Sequence, residues 1–264
     1  NVLLVGGSQM GRVGKELERK GKDVIEEVGF VQVKGKWDGV EVGNVLREAQ
    51  GLALKPDKVV LGGPGNSLFT HGEKDRRGFG PERTVTLEKG KGGEVRKVVV
   101  KYHMTEPMRI SMAERRELVE RVVEMAAGLK GCFPGIDVVY VTMFPRFVEP
   151  CCTRGGHITE DDCWAINGFR KSVDADLVEE LQMIGVSVVE WWELCGMEKE
   201  LMVDVLRKGS VVCHDGVHLT ESMNTCTAVN LCHRLAEMEL AGGGSLGGGS
   251  LRGKKARMES RMDL

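Results

Sequence analysis

Long apolar runs are missing from this sequence. No hydrophobic stretch approaches the ~18 residues needed to cross a bilayer as a helix, so a membrane-spanning helix is not expected. Aromatic residues are scarce, at 5% of the chain, and an excess of charge of either sign is absent: 37 Lys and Arg stand against 39 Asp and Glu, for a formal net charge of -2. A mixed surface of that kind argues against nucleic acid or anionic membrane as an obligatory partner of the main body. Paired C-x-x-C spacings are also lacking among the eight cysteines, at 132, 151, 152, 163, 195, 213, 226 and 232. Most of them read as small buried hydrophobes, because a domain of this size does not need disulfide staples. Cys151, Cys152, His157 and Cys163 bring three thiols and an imidazole together in sequence, but without zinc-ligand spacing, so no metal and no other cofactor is expected. An intracellular setting is favoured.

What is present in quantity is core material: 41% hydrophobic residues in 264, ample for one large domain or two small ones. The chain opens on Asn1 directly at a strand, the pattern expected of a piece of a longer protein.

Short β-branched runs alternate with longer amphipathic segments. Residues 2–5, 28–33, 59–61, 138–141 and 186–189 read as strands, several of them apolar on both faces, as buried parallel strands are. Residues 10–20, about 40–54, 111–129, 160–184 and 221–240 read as helices, with Gly21 and Gly185 at expected stops and Pro56 ahead of the third strand. The alternation predicts an α/β fold of three layers, with helices on both faces of a five-stranded parallel sheet. Residues 83–88 and 94–102 flank Lys89-Gly90-Lys91-Gly92-Gly93 and predict a β-hairpin inserted after the third strand.

Residues 1–240 are expected to form the domain and 241–264 a Gly/Ser linker and basic tail. The last fourteen residues hold five Lys/Arg and two Asp/Glu. A solvated end is the plain reading of that tail, and a nucleic-acid or partner contact the sharper one.

The opening stretch, Val2-Leu3-Leu4-Val5-Gly6-Gly7-Ser8-Gln9, runs a strand into a glycine turn and a helix. That design can cradle a phosphate or present a nucleophile. The phosphate-binding frame G-x-x-x-x-G-K-[ST] gives Gly6, Gly11, Arg12 and Val13, and valine offers no oxygen to magnesium. The dinucleotide frame G-x-G-x-x-G fails as well.

In an open parallel sheet the active groups collect at the C-terminal ends of strands. Three stretches stand out there: Gly6-Gly7-Ser8, then Gly63-Pro64-Gly65-Asn66, and, before the last helix, Asp215-Gly216-Val217-His218. Taken singly, each has a structural reading. Ser8 serves as a helix cap, Asn66 as a turn former, Asp215-Gly216 as an ordinary turn, and His218 as a surface or core histidine. Trp191 and Trp192 read as core packing beside the fifth strand.

In combination the three blocks resemble the SGNH (GDSL-type) hydrolases over residues 1 to about 240. The nucleophile block corresponds to Gly6-Gly7-Ser8-Gln9, the Gly-x-x-Asn block to Gly63-Pro64-Gly65-Asn66, and the Asp-x-x-His block to Asp215 through His218. The family's lone glycine corresponds best to Gly35 and next to Gly39. More narrowly, the chain is similar to esterase domains encoded in animal retrotransposon reading frames.

The resemblance implies a flavodoxin-like fold and a serine esterase acting on small acyl esters such as acetyl esters, lipid- or carbohydrate-linked ones included. It implies Ser8 as nucleophile, His218 as base and Asp215 as its orienting acid, with Ser8, Gly35 and Asn66 donating to the oxyanion. Ser-His-acid chemistry needs those roles. Two positions depart from the family: Gly7 stands where an aspartate precedes the serine, and Ser67 where one follows the asparagine. Those departures put rate and substrate fit in question more than reaction type. An acyltransferase with the same triad, or a non-catalytic assembly module on the same fold, are the alternatives.

Overall fold

Val2–Gly6, the first strand β1, is apolar or glycine throughout and every residue in it is buried, as a central strand covered on both faces requires. The structure is a computed structural model and describes residues 1–21, 25–33, 37, 40–68, 82–89, 95–103, 110–148, 160–197, 202–208, 212–213 and 218–242. Four further strands, β2 (Val28–Gln32), β3 (Lys58–Gly62), β6 (Asp137–Val141) and β7 (Ser187–Val189), join β1 in a five-stranded sheet of order β2-β1-β3-β6-β7. Every pair is parallel, with Val2 opposite Val28 on one side and Lys58 on the other. With the hairpin set aside this is the flavodoxin-like strand order, in which the chain reverses its direction of winding between the first and third strands and leaves a crevice there.

Alternate side chains of each strand serve opposite layers. Leu3, Val5, Val59, Leu61, Val138 and Tyr140 belong to a core shared with helices α2 (Val42–Gly51), α3 (Met112–Cys132) and α4 (Glu160–Met183). On the other face α1 (Ser8–Lys20) lies against Leu4 so closely that a Cβ on Gly14 would stand 2.9 Å from the Leu4 side chain. The last helix is α7 (Glu221–Gly242), and in its first turns the Thr225 hydroxyl donates to Glu16 of α1 at 2.8 Å. The three-layer arrangement expected from the alternation is present.

Helix boundaries follow local chemistry. Ser111 caps α3 through a reciprocal capping box with Glu114, the two bonds being 3.2 and 2.6 Å. Gly185, just past α4, has φ +71, a conformation that glycine alone adopts without strain. The short helices α5 (Trp191–Leu194) and α6 (Met202–Lys208) were not expected; four and seven residues are too few to show a helical period. Trp191 is buried and meets the Phe147 ring edge-on at 6.3 Å between centroids, in line with the core role read for it.

The inserted hairpin is formed by β4 (Glu82–Lys89) and β5 (Val95–His103), which pair antiparallel as a separate two-stranded sheet, with Glu82 opposite His103. Its turn, 90–94, lies outside the described residues. Contacts divide the chain into two units, Asn1–Cys232 and His233–Leu264. In the second, Arg234 pairs with Glu237 at 3.2 Å within the helix. The expected linker and basic tail, from residue 243 on, lie outside the described residues, as do Cys151, Cys152 and His157. Cys163 is described and fully buried on α4.

Candidate active site

Gly6 ends β1 and Gly62 ends β3, and both sit under the side chain of Met10. A Cβ on Gly6 would come within 2.8 Å of Met10 Cγ, and one on Gly62 would run into the same atom. The two glycines let the first turn of α1 settle onto the sheet edge at the crevice. Gly7 is then the N-cap residue, in extended conformation, and Ser8 is the first residue of the helix. No side chain caps α1, so the cap role open to Ser8 in the sequence is not the one it has. Its hydroxyl is exposed, and its N–H is among the first-turn amides that have no acceptor within the helix.

The Ser8 hydroxyl oxygen stands 3.4 Å from Nε2 of His218, across 210 residues of chain. That is longer than a tight catalytic hydrogen bond, and within the looser range common in ligand-free sites. His218 precedes Leu219, which bridges antiparallel to Cys213, and the His218 carbonyl accepts from the Cys213 thiol at 3.1 Å. Asp215 lies in 214–217, outside the described residues.

Two amides that the sequence did not signal tie these segments together. Gln9 donates through Nε2 to Asn224 Oδ1 at 2.7 Å and accepts through Oε1 from the Leu219 N–H at 3.3 Å. Asn224 in turn donates through Nδ2 to the Leu219 carbonyl at 3.1 Å. Both backbone groups of the residue after His218 are thereby held by the residue after Ser8 and its partner on α7. A glutamine and an asparagine 215 positions apart carry no local signature, and only the adjacency of Gln9 to Ser8 could have drawn attention.

After β3 the chain makes a tight turn, Gly65–Ser67, closed by the Ser67 N–H donating to the Pro64 carbonyl at 2.8 Å. Asn66 lies in this turn. Gly63 needs its lack of side chain, since a Cβ would fall 2.5 Å from Met143 Cγ and 2.8 Å from the Tyr140 hydroxyl. Ser67, where the resembling family has aspartate, is buried and accepts from the Trp37 N–H at 2.6 Å. The Trp37 carbonyl accepts from Arg121 at 3.0 Å. Ser67 therefore links the turn after β3 to the segment after β2. Gly35 and the second-choice Gly39 lie outside the described residues.

A third wall comes from the segment after β6, to which the sequence assigned no role. The Met143 N–H donates to both oxygens of Asp174 at 3.2 Å, and the Tyr140 hydroxyl donates to the same carboxylate at 2.9 Å. Arg170 pairs with Asp174 at 3.0 Å and donates to the Met143 carbonyl. Burial pushes Asp174 up to about 6 against the pull of Arg170. Burial also raises Tyr140 well above its ordinary value, with the Asp174 charge adding to it, and lowers Arg170. Ser8, His218, Gly63 to Gly65 and Met143 to Arg146 line one cleft at the C-terminal edge of the sheet. Among the described residues no cluster of His, Cys, Asp or Glu is arranged to hold a metal ion.

The fold and the site together define an α/β protein with a serine and a histidine facing one another at the switch point of a flavodoxin-like sheet. No family model matches the sequence, and no curated protein matches it. Solved structures do match. A protein from Lactobacillus plantarum is 12% identical over 90% of this chain and 96% of its own, with TM-score 0.52. One from Streptococcus pneumonia is 12% identical over 89% and 83%, with TM-score 0.51. A GDSL-like lipase from Bacteroides thetaiotaomicron, 12% identical over 90% and 88%, superposes more loosely, with TM-score 0.48. At such identities the likeness to the first two is one of fold.

Proposed function

We propose that the chain is a serine esterase of the SGNH (GDSL) type, cleaving small acyl esters. The observation that carries the reading is the approach of the Ser8 hydroxyl to His218 Nε2 at 3.4 Å, in a cleft that both line together with Gly63 to Gly65. Serine is a weak nucleophile at neutral pH and needs a base within reach. His218 takes the Ser8 proton as the oxygen attacks the ester carbonyl, and then returns that proton to the departing alcohol. Water repeats the cycle on the acyl-enzyme. Asp215 is assigned the orientation of the imidazole, and Gly35 and Asn66 join the Ser8 N–H as oxyanion donors, by the motif correspondence.

Labelling with a fluorophosphonate tests the reading. Covalent modification at Ser8 is expected, with none in Ser8→Ala, and His218→Ala should lose ester turnover by at least about 10³-fold while staying folded. Absence of labelling in the folded parent protein would leave a non-catalytic module on this fold. An acyl acceptor that outcompetes water would reveal the acyltransferase instead.

A further inference from the structure

We propose that the cleft beside Ser8 takes an ester bearing an anionic group, a carboxylate or a phosphate, held by Arg146 and Arg170. The word ester rests on the serine-esterase reading; the anion site rests on its own observations. Both arginines line the cleft with Ser8 and His218, and no Asp or Glu lines it among the described residues.

Arg170 is buried, and one of its terminal nitrogens is engaged by Asp174 and the Met143 carbonyl, but its Nε is buried without a hydrogen-bond partner. A buried guanidinium N–H without an acceptor is costly, and the part of Arg170 that lines the cleft adds a second guanidinium to the wall that Arg146 forms. Arg146 has its backbone held on both sides by the buried Asn167 amide, the N–H and the carbonyl each bonded at 2.8 Å. Its guanidinium has no ion-pair or hydrogen-bond partner among the described residues. Asp174 offsets the charge of Arg170, and among the described residues no carboxylate pairs with Arg146 on the cleft wall. A guanidinium fork on an anchored backbone suits the paired oxygens of a carboxylate or phosphate.

The experiment compares matched esters and measures anion binding separately. Hydrolysis of mono-4-nitrophenyl glutarate is compared with that of 4-nitrophenyl pentanoate, and of acetylated glycerol 3-phosphate with monoacetylglycerol. A kcat/KM preference of about tenfold or more for the charged member of at least one pair is expected, carried mainly by KM and shrinking as salt is raised. The pair that discriminates places the anion on the acyl or the alcohol side. Arg146→Gln should abolish the preference and Arg146→Glu reverse it, while Arg146→Lys retains part. In parallel, glutarate and inorganic phosphate are titrated into the folded Ser8→Ala protein, with binding expected and its loss expected on adding Arg146→Glu.

Equal hydrolysis of charged and neutral members in both pairs, or an Arg146→Glu effect equal on both, would overturn the anion site and leave the esterase standing. Arg146-dependent anion binding with no ester turnover and no Ser8 labelling would support the anion site and overturn the esterase. Absence of binding to Ser8→Ala would also overturn the site.

Discussion

Gln9 shows how a residue with no chemistry of its own can position two others. Its amide is the bridge between the serine turn and the segment carrying His218. Gln9→Ala leaves the Leu219 N–H and the Asn224 amide short of partners, each costing about 1–3 kcal/mol where it is buried. The expected outcome is a lower unfolding midpoint, together with a kcat reduced by about tenfold or more and KM little changed, because a displaced imidazole affects the chemical step more than binding. Equal kcat for parent and variant would show that His218 is held by other groups. Asn66 offers a second test. As an oxyanion donor its replacement by alanine should cost about 10² to 10³ in kcat, with slower fluorophosphonate labelling that still reaches the parent stoichiometry. Retention of the parent rate in folded Asn66→Ala would reduce the residue to a turn former.

Elements meet the site through strand ends, and the end of β6 is held to α4 by a buried carboxylate. Asp174 receives the Met143 N–H and the Tyr140 hydroxyl while paired with Arg170, and burial raises it from 3.8 to about 6. An acid whose folded value lies above its unfolded one binds more protons when folded over that interval. Its contribution to stability is therefore greatest below the unfolded value and is lost as pH rises through the folded one. Parent stability relative to Asp174→Asn should fall by up to about 3 kcal/mol between pH 4 and pH 7, read from urea unfolding at each pH. A difference independent of pH would mean that the carboxylate titrates normally. The same network holds Met143 against Gly63, so the turn bearing Asn66 and the segment after β6 share one packing contact.

For the whole molecule, the C-terminal residues are the simplest test. Gly/Ser stretches bury little surface and order weakly. Removing residues 243–264 is expected to leave the melting temperature and ester turnover unchanged, as measured by thermal unfolding and a chromogenic ester. A clear fall in the melting temperature would show that the tail docks.

The sequence alone determined the layer pattern, because strand and helix periods and glycine punctuation are local. Five strands were expected in order, and the structure differs from them by a single residue at one end or both. The hairpin was legible from its alternation and glycine-rich turn, whereas the four residues of α5 were too short to announce themselves. That Ser8 and His218 would be neighbours was expected from a strand-turn-helix junction and from the family resemblance of the late motif, and the structure brings the two side chains together. Asp215 and Gly35, expected from the resemblance alone, lie outside the described residues.

What only the tertiary structure decided is which side chains meet. The 3.4 Å approach of Ser8 to His218, the Gln9–Asn224 amides, Ser67 under Trp37 and the Arg170–Asp174 pair below the cleft wall all depend on how the elements pack. Except for Arg170 and Asp174, one turn apart on α4, these partners are separated by 30 to more than 200 positions. Hydrogen bonds at that separation are set by strand order and helix placement, and no periodicity along the chain encodes them.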